Sequence, residues 1–243
     1  ARGLIALGTG PGDKVVLWMP NRPEWLYTFF ALSKIGSVVV PVNTRFRAND
    51  LEYVVRQSDA TTLITVDRSG LVDYLDLIRT VVPEIETNPR HALHSNDFPE
   101  LERIVILGSK VPDSAVSWSD MMASGKAVST GVLANRARQV APDDMTLIMY
   151  TSGTTGCPKG VMHCHNLRRN IIDIANRLGY RSNDIILMNW PLFHVLGLYL
   201  GPLFTVCLGT RMVLTTVFDA TESLRLMMRN ASRASGASRA SSM

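Results

Sequence analysis

The chain has 243 residues, of which 46% are hydrophobic and 19% charged, so its composition excludes disordered and fibrous proteins and allows a sizeable core. Its 25 basic and 21 acidic residues give a formal charge of +4. Three arginines, Arg229, Arg233 and Arg239, lie in an acid-free terminal stretch, and without them 22 basic residues face 21 acidic ones. The charge is therefore a poor indicator of a nucleic-acid partner, and we expect none.

The three cysteines, Cys157, Cys164 and Cys207, are an odd number in a chain large enough to fold without disulfides. We therefore expect a reducing, cytoplasmic location. The longest apolar stretch, residues 195–209, is short for a membrane span and is interrupted by glycine and proline, so we predict buried core and no transmembrane segment. The chain opens without a signal-peptide pattern, and its first residues resemble the end of a helix, so we expect residues upstream.

Short apolar runs alternate with helical periodicities along the chain. The runs predict strands at residues 15–19, 38–42, 61–66, 104–108, 146–150, 185–189 and 211–215. The helical spacings predict helices at residues 23–35, 49–55, 72–82, 167–178 and 196–206. Asn21 is predicted to cap the first of these helices, and Asn49 begins a possible capping box for the second. This order predicts an α/β fold with mostly parallel sheets flanked by helices.

Three stretches give weaker signals. Residues 83–100 are rich in Pro, Asn and His and predict an irregular surface segment, while residues 111–142 show only weak periodicity. Residues 228–243 contain no acidic residue and no apolar face, which predicts a disordered tail. Two interpretations of this tail stay open: a flexible terminus, or out-of-frame translation of a G+C-rich gene, which the 20 Arg against 5 Lys would allow.

Residues 150–160, with the sequence YTSGTTGCPKG, carry the strongest chemical signal. They follow a predicted strand and precede a predicted helix. Glycines let backbone amides turn toward an anion, hydroxyl groups add donors, and Lys159 adds a positive charge. The pattern therefore predicts a phosphate-binding loop, with a solvated Ser/Thr/Gly turn as the structural alternative.

A Walker A loop is a near match that the residues disfavour. Gly153 and Lys159 have the required separation. However, Pro158 stands where that loop needs a glycine, and it has no amide hydrogen to offer. Gly160 stands where a Ser or Thr would hold Mg²⁺. We therefore do not expect a P-loop NTPase.

Residues 150–160 match without interruption the signature YTSGTTGxPKG of the adenylate-forming superfamily, the AMP-binding acyl-CoA synthetases and their relatives. The chain also resembles this family at residues 10–43 and at residues 191–198, PLFHVLGL. The resemblance covers residues 1–227 and implies an incomplete N-terminal adenylation domain. It favours a CoA ligase for a fatty or other apolar acid over an adenylation domain of a peptide synthetase.

The resemblance implies a two-step reaction. A carboxylate attacks the α-phosphate of ATP to give an acyl-adenylate and pyrophosphate, and the thiol of coenzyme A then attacks the activated carbonyl. ATP, Mg²⁺, CoA and a small carboxylic acid are thus the implied cofactors and substrates. The implied phosphate-binding residues are Thr151, Ser152, Gly153, Thr154, Thr155, Gly156 and Lys159, which would stabilise the charge on departing pyrophosphate.

His194 is the second candidate for a catalytic role, beside Lys159. A lone histidine next to an apolar helix is more often structural. The resemblance implies instead that His194 borders the acyl pocket near the substrate carboxylate, where Trp190 and Phe193 would line the same cavity. As a neutral donor, His194 could orient a carboxylate oxygen, and we assign it no proton transfer.

Two observations limit the expected activity. Cys157, His163, Cys164 and His165 lack the spacing of a zinc site, so we expect no metal centre. The family's Y-G-x-T-E and Y-x-T-G-D segments and its C-terminal lysine, which serve Mg²⁺, ribose and catalysis, are not found in this sequence. We therefore expect little or no activity from this polypeptide alone. The alternatives are a non-catalytic remnant and a nucleotide- or partner-binding module.

Overall fold

The computed structural model describes residues 1–151 and 157–240, with side chains through residue 230. The strands are β1 (Lys14–Trp18), β2 (Val38–Pro41), β3 (Ala60–Val66), β4 (Arg68–Ser69), β5 (Val72–Asp73), β6 (Arg103–Leu107), β7 (Val116–Ser117), β8 (Met145–Thr151), β9 (Lys159–Cys164), β10 (Ile185–Met188) and β11 (Arg211–Leu214). The α-helices are α1 (Arg2–Ala6), α2 (Pro23–Ile35), α3 (Ala48–Gln57), α4 (Tyr74–Val81), α5 (Trp118–Ser124), α6 (Thr130–Arg138), α7 (Leu167–Arg177), α8 (Val195–Leu198), α9 (Phe204–Leu208) and α10 (Ala220–Ala240). The chain divides into a first unit, Ala1–Pro20 with Glu24–Leu167, and a second unit, Asn21–Pro23 with Arg168–Met243.

The first unit is built on a sheet that, in the described residues, has seven strands in the order β7-β6-β3-β1-β2-β8-β9. All neighbouring strands are parallel except β8 and β9, which pair antiparallel. The central strands are continuous apolar runs because both faces of the sheet are covered. Val15, Val16, Leu17 and Trp18 of β1 are fully buried, and Trp25 of α2 is buried as well. The predicted α/β class with mostly parallel strands is confirmed.

Side-chain hydrogen bonds fix the carboxyl end of β1 to its surroundings. The Trp18 indole N–H donates to the carbonyl oxygen of Asn43 at 3.1 Å. The hydroxyl group of Thr65 donates to the carbonyl oxygen of Trp18 at 2.6 Å. Thr65 is fully buried in β3, so this bond satisfies a polar group inside the core.

The helix starts differ from the sequence predictions at two places. Helix α3 begins at Ala48, so Asn49 is inside it, and the side chain of Asp50 accepts the Arg47 backbone N–H at 3.0 Å. Helix α4 begins at Tyr74 and not at Val72, because Asp73 caps it by accepting the Asp76 backbone N–H at 3.0 Å. In both cases an aspartate satisfies a helix-terminal amide and so sets where the helix begins.

Two stretches with weak sequence signals contain short elements. Within 83–100 the structure has a 3₁₀ turn at Pro83–Glu86. Within 111–142 it has β7, α5 and α6, with α5 and α6 capped by serine hydroxyl groups. Helix α5 buries only Met121, and α6, over Thr130–Arg138, buries none of its side chains. Their sequences therefore carry almost no apolar periodicity.

The second unit contains the parallel pair β10–β11 and the helices α7 to α10. The helix predicted at 196–206 is interrupted: a π-helical segment at Tyr199–Leu203 separates α8 from α9. Pro202 lies in this segment and has no amide hydrogen for the ordinary i to i−4 bond, which accounts for the widened turn. The rings of Tyr180 and Phe204 pack edge to face with centroids 5.1 Å apart.

Helix α10 extends past Met228 into the segment for which the sequence predicts a disordered tail. Side chains of this helix are described only through Asn230. Disorder of residues 228–243, like the domain boundary at residue 227, therefore stays a prediction. In the parts of the chain that are described, no helix is both long and apolar enough to cross a membrane.

Candidate functional site

The two ends of the predicted phosphate loop face each other across a β-hairpin. Strands β8 and β9 pair antiparallel, and Thr151 lies opposite Lys159. The Thr151 hydroxyl group donates to the Lys159 carbonyl oxygen at 3.5 Å, and both residues are exposed. The structure therefore brings together two of the predicted phosphate-binding residues. The others, Ser152, Gly153, Thr154, Thr155 and Gly156, lie outside the described residues.

The structure adds a strand after the loop that the sequence did not predict. Strand β9 occupies residues 159–164, between the loop and helix α7, which begins at Leu167 as predicted. The chain therefore re-enters the sheet as an edge strand next to β8. The predicted phosphate-binding residues Thr151 and Lys159 therefore lie on a β-hairpin, and the backbone amides of Lys159 and Gly160 belong to a strand and not to a helix N-terminus.

Gly160 is required by the close approach of the two hairpin strands. It lies opposite Tyr150, and a Cβ atom on Gly160 would stand 2.9 Å from Ile148 Cγ2 and 3.5 Å from Tyr150 Cζ. Ile148 is buried and β-branched, so its methyl group cannot move away cheaply. The last glycine of the signature thus has a packing reason that is separate from phosphate.

Tyr150, the residue before Thr151, has a protonated phenol group at neutral pH. Burial raises the pKa of Tyr150 to about 12, with smaller contributions from Tyr53 and Asp59. Its hydroxyl group donates to the side-chain oxygen of Gln57 on α3. At neutral pH this group is therefore a hydrogen-bond donor and carries no charge toward the loop.

His194 begins helix α8 in the second unit. Its Nδ1 atom accepts the Leu196 backbone N–H at 3.3 Å, and its own backbone N–H donates to the Pro191 carbonyl oxygen at 3.1 Å. Because Nδ1 is an acceptor here, a neutral imidazole carries its proton on Nε2. The side chain is exposed, so Nε2–H is available as a donor. The sequence analysis missed this capping role, and the role of His194 as a hydrogen-bond donor to the acid stays a prediction.

Trp190 and Phe193 flank a fully buried leucine in the same segment. Leu192 has no exposed surface, whereas Trp190 is 49% exposed and Phe193 is half-buried. Their placement leaves indole surface uncovered within the second unit. Trp190, Phe193 and His194 therefore lie together in one short segment, as predicted, while their contact with an acyl group stays a prediction.

Asn21 holds this segment, a role that the sequence analysis missed. We predicted a helix cap, but helix α2 begins at Pro23. The Asn21 side-chain amide instead donates to the carbonyl oxygens of Trp190 and Thr215 at 2.9 and 3.2 Å. Its side-chain oxygen accepts the Leu192 backbone N–H at 2.8 Å. Asn21 is only 7% exposed, so these bonds satisfy a buried amide and fix the segment from both sides.

Gly197 is required by the turn that carries His194. A Cβ atom on Gly197 would stand 2.0 Å from the Pro191 carbonyl oxygen and 2.7 Å from its carbonyl carbon. These atoms are backbone and cannot rotate away. The glycine of the sequence PLFHVLG therefore lets helix α8 pack directly against the chain that precedes His194.

The two candidate catalytic residues belong to different units, Lys159 to the first and His194 to the second. The donor set at Thr151 and Lys159, a hydroxyl group and an exposed ammonium group, suits an anion such as polyphosphate. Among the described residues, no group of three or more His, Cys, Asp or Glu side chains is placed to hold a metal ion.

Comparison with known proteins gives a consistent family match. The sequence profile described as AMP-binding enzyme matches residues 1–234. YngI of Bacillus subtilis, named as a candidate acyl-CoA synthetase, is 36% identical over 226 residues, which are 93% of this chain and 41% of YngI. The mitochondrial medium-chain acyl-CoA ligase ACSF2 of Danio rerio is 30% identical over 229 residues, 93% of this chain and 38% of that protein. The chain thus spans about 40% of the length of these relatives.

Two solved structures share the fold. The long-chain-fatty-acid–CoA ligase FadD1 of Archaeoglobus fulgidus matches with a TM-score of 0.73 and 26% identity, over 95% of this chain and 40% of that one. The anthranilate–CoA ligase AuaEII, in complex with anthranoyl-AMP, matches with a TM-score of 0.70 and 25% identity, over 89% of this chain and 38% of that one.

Proposed function

Because the chain belongs to the AMP-binding enzyme family, we propose that it forms the N-terminal part of an ATP-dependent carboxylate–CoA ligase. The observation that carries this proposal is the β8–β9 hairpin, which places Thr151 opposite Lys159 at the two ends of the phosphate-loop signature. The names of the relatives, acyl-CoA synthetase and acyl-CoA ligase, support the same reaction class.

In the proposed first step, a carboxylate oxygen attacks the α-phosphorus of ATP, and the bond to the bridging oxygen of pyrophosphate breaks. The Lys159 ammonium group, the Thr151 hydroxyl group and the loop between them would hold the β- and γ-phosphates. Their interaction strengthens as negative charge develops on the departing pyrophosphate, which lowers the barrier. The loop forms no covalent bond in this scheme.

His194 is proposed to orient the acid. With Nδ1 engaged by Leu196, the exposed Nε2–H can donate to one carboxylate oxygen and leave the other to attack. Trp190, 49% exposed, and Phe193 would offer apolar surface to the acyl chain. In the second step the CoA thiol forms a bond to the acyl carbon and AMP departs. The described residues present no carboxylate cluster for Mg²⁺, so no step is assigned to a metal in this chain.

The acid is proposed to be a fatty or other apolar carboxylic acid. The names of the similar proteins cover medium-chain acids, long-chain fatty acids and anthranilate. All three are carboxylates with an apolar body, which agrees with the apolar residues beside His194.

A cytoplasmic location is also retained as a proposal. It rests on the three cysteines, all of which are free in the structure. Against it, the Danio rerio relative is named as mitochondrial. We propose no nucleic-acid partner, since the basic and acidic residues outside the terminal stretch nearly balance.

The proposal is tested by supplying the rest of the enzyme. A chimera joins residues 1–227 to the remaining part of YngI, and octanoate-dependent exchange of pyrophosphate into ATP is measured. We expect pyrophosphate exchange in the chimera, and we expect Lys159→Ala to lower its rate by about a hundredfold. Lys126→Ala, which removes an exposed lysine in the 3₁₀ turn at Gly125–Ala127, is the matched control and keeps exchange.

Two results would count against the proposal. If the Lys159→Ala chimera still exchanges pyrophosphate into ATP at the original rate, Lys159 is not part of the phosphate site. ATP hydrolysis without any carboxylic acid would instead indicate an NTPase. The chain alone is proposed to show little or no exchange, because the ribose and Mg²⁺ motifs of the family are not in its sequence.

A further inference from the structure

Helix α3 contacts both ends of the loop hairpin. The Tyr53 hydroxyl group donates to the carbonyl oxygen of Pro158 at 3.0 Å. One turn further along, the Gln57 side-chain oxygen accepts the hydroxyl group of Tyr150. Tyr150 directly precedes Thr151, and Pro158 directly precedes Lys159. A single helix therefore contacts the signature at two positions, Tyr150 and Pro158, which stand on either side of residues 151–157.

The helix geometry allows both bonds at once. Tyr53 and Gln57 are four residues apart, so they lie on one face of α3. The rings of Tyr53 and Tyr150 also meet edge to face, with centroids 6.4 Å apart and an interplanar angle of 83°. Tyr53 is half-buried, which shields its bond to Pro158 from water. The contact thus combines two hydrogen bonds with one aromatic pair.

The bond from Tyr53 acts on the peptide unit that leads into Lys159. The carbonyl of Pro158 and the amide of Lys159 share one planar peptide group. A hydrogen bond to that carbonyl therefore fixes the orientation of the peptide group that precedes Lys159. Strand β9 is an edge strand, hydrogen-bonded on one side to β8, so this bond from α3 adds a constraint that the sheet does not supply.

We propose that Tyr53 and Gln57 are positioning residues for the phosphate-binding loop, an inference that rests on the proposed function of Lys159. Both lie far from the signature in sequence; Tyr53 is 105 residues before Pro158. Neither would touch ATP. They would act by holding the two ends of the loop so that Lys159 is preorganised for the phosphates and little ordering is needed on binding.

The first measurement needs no nucleotide. Amide hydrogen exchange of the chain is compared between wild type and Tyr53→Phe, which keeps the ring and removes the hydroxyl group. We expect amides of Lys159, Gly160 and Val161 to exchange about fivefold faster, which corresponds to the loss of one net hydrogen bond. Amides of the central strands β1 and β3 serve as the internal reference and should not change. Gln57→Ala should have a smaller effect in the same direction, because Gln57 is exposed.

The second measurement tests the link to phosphate. Inorganic tripolyphosphate is the probe, because it lacks the adenosine group and reports on phosphate contacts alone. Tyr53→Phe should weaken tripolyphosphate binding by up to about fivefold. Lys159→Ala should weaken this binding by at least about tenfold, but it should not speed amide hydrogen exchange at Val161. Tyr27→Phe, which removes a hydroxyl group from a tyrosine that is 64% exposed on α2, is the matched control and should change neither quantity.

The outcomes separate this inference from the proposed function. If Tyr53→Phe equals wild type in both measurements while Lys159→Ala weakens binding, the positioning role is wrong and the proposed function stands. If Lys159→Ala binds tripolyphosphate as wild type does, the proposed function fails. In that case faster amide hydrogen exchange in Tyr53→Phe would show only a structural contact, and the positioning role of Tyr53 and Gln57 would be wrong as well.

Discussion

The side-chain amide of Asn21 donates a 2.9 Å hydrogen bond to the carbonyl oxygen of Trp190. Two residues further along, the backbone N–H of Leu192 donates back to the same side chain at 2.8 Å. One buried asparagine thus fixes the backbone on both sides of Pro191, immediately before the segment that carries Phe193 and His194. The position of a candidate catalytic residue therefore depends on a side chain far away in sequence.

Asn21→Ala should destabilise the chain by about 3 kcal/mol, because it removes three hydrogen bonds and leaves buried backbone groups without partners. The free energy of unfolding from urea titration measures this loss. Asn176→Ala, at an exposed position on α7, is the matched control and should change stability by less than about 0.5 kcal/mol. Equal stabilities for the two variants would contradict the bridging role of Asn21.

Gly197→Ala should destabilise the chain by about 2 kcal/mol or more, since the new Cβ atom would stand 2.0 Å from a backbone oxygen. Gly131→Ala is the control, because its Cβ atom would meet only Ser129 Oγ at 3.6 Å. Gly131 lies in helix α6, where alanine should be neutral or stabilising by up to about 1 kcal/mol. Unfolding curves with the same sign of change for both variants would argue against the close packing at Pro191.

His194→Asn separates the capping role of His194 from its proposed contact with the acid. Asparagine is a good helix cap and can still accept the Leu196 amide, so stability should stay within about 0.5 kcal/mol of wild type. It removes the Nε2–H donor, and in the YngI chimera we expect octanoate-dependent exchange to fall about tenfold. His91→Asn, at an exposed loop position, is the control. Unchanged exchange in His194→Asn would exclude the orienting role.

Asp67 should give the chain a pH-dependent component of stability. Its carboxylate accepts the backbone N–H groups of Arg68, Ser109 and Lys110 at 2.7, 2.9 and 3.2 Å. Burial by itself would raise the pKa of Asp67, but these bonds outweigh it and hold the pKa below its ordinary value. The stabilisation is therefore present above the unfolded-state pKa near 4 and is lost as the pH falls through the lower folded-state pKa.

Asp67→Asn should therefore lose less stability than wild type between about pH 5 and about pH 3. Urea unfolding across this range measures the difference, with Asp97→Asn, an exposed loop aspartate, as the matched control. If wild type and Asp67→Asn show parallel pH dependence, the three amide bonds do not stabilise the charged form.

The strands were predictable because their residues are apolar on both faces. The seven predicted strands correspond to β1, β2, β3, β6, β8, β10 and β11, with ends that differ by about one residue. Helices α2 and α7 were equally clear from buried positions at helical spacing, such as Trp25, Phe29 and Leu32. Burial leaves a pattern in the local sequence, and the α/β class followed from that pattern.

The features that were missed depend on partners distant in sequence. Strand β9 has exposed and half-exposed side chains, so nothing in KGVMHC indicates a strand until β8 is placed beside it. Asn21 was predicted to cap a helix because its neighbours permit that; its actual partners are about 170 residues away. For the candidate site, the signature predicted Thr151 and Lys159, and the resemblance at PLFHVLGL predicted His194. Their roles stay predictions, and the packing reasons for Gly160 and Gly197 required coordinates.

Titration of ATP into the chain by isothermal calorimetry tests the central claim most directly, because it asks whether Lys159 binds phosphates in this polypeptide itself. We predict that Lys159→Ala raises the dissociation constant for ATP by at least about tenfold, while Lys126→Ala leaves it unchanged. Equal ATP affinity for wild type and Lys159→Ala would contradict the assignment of the β8–β9 hairpin as a phosphate-binding site.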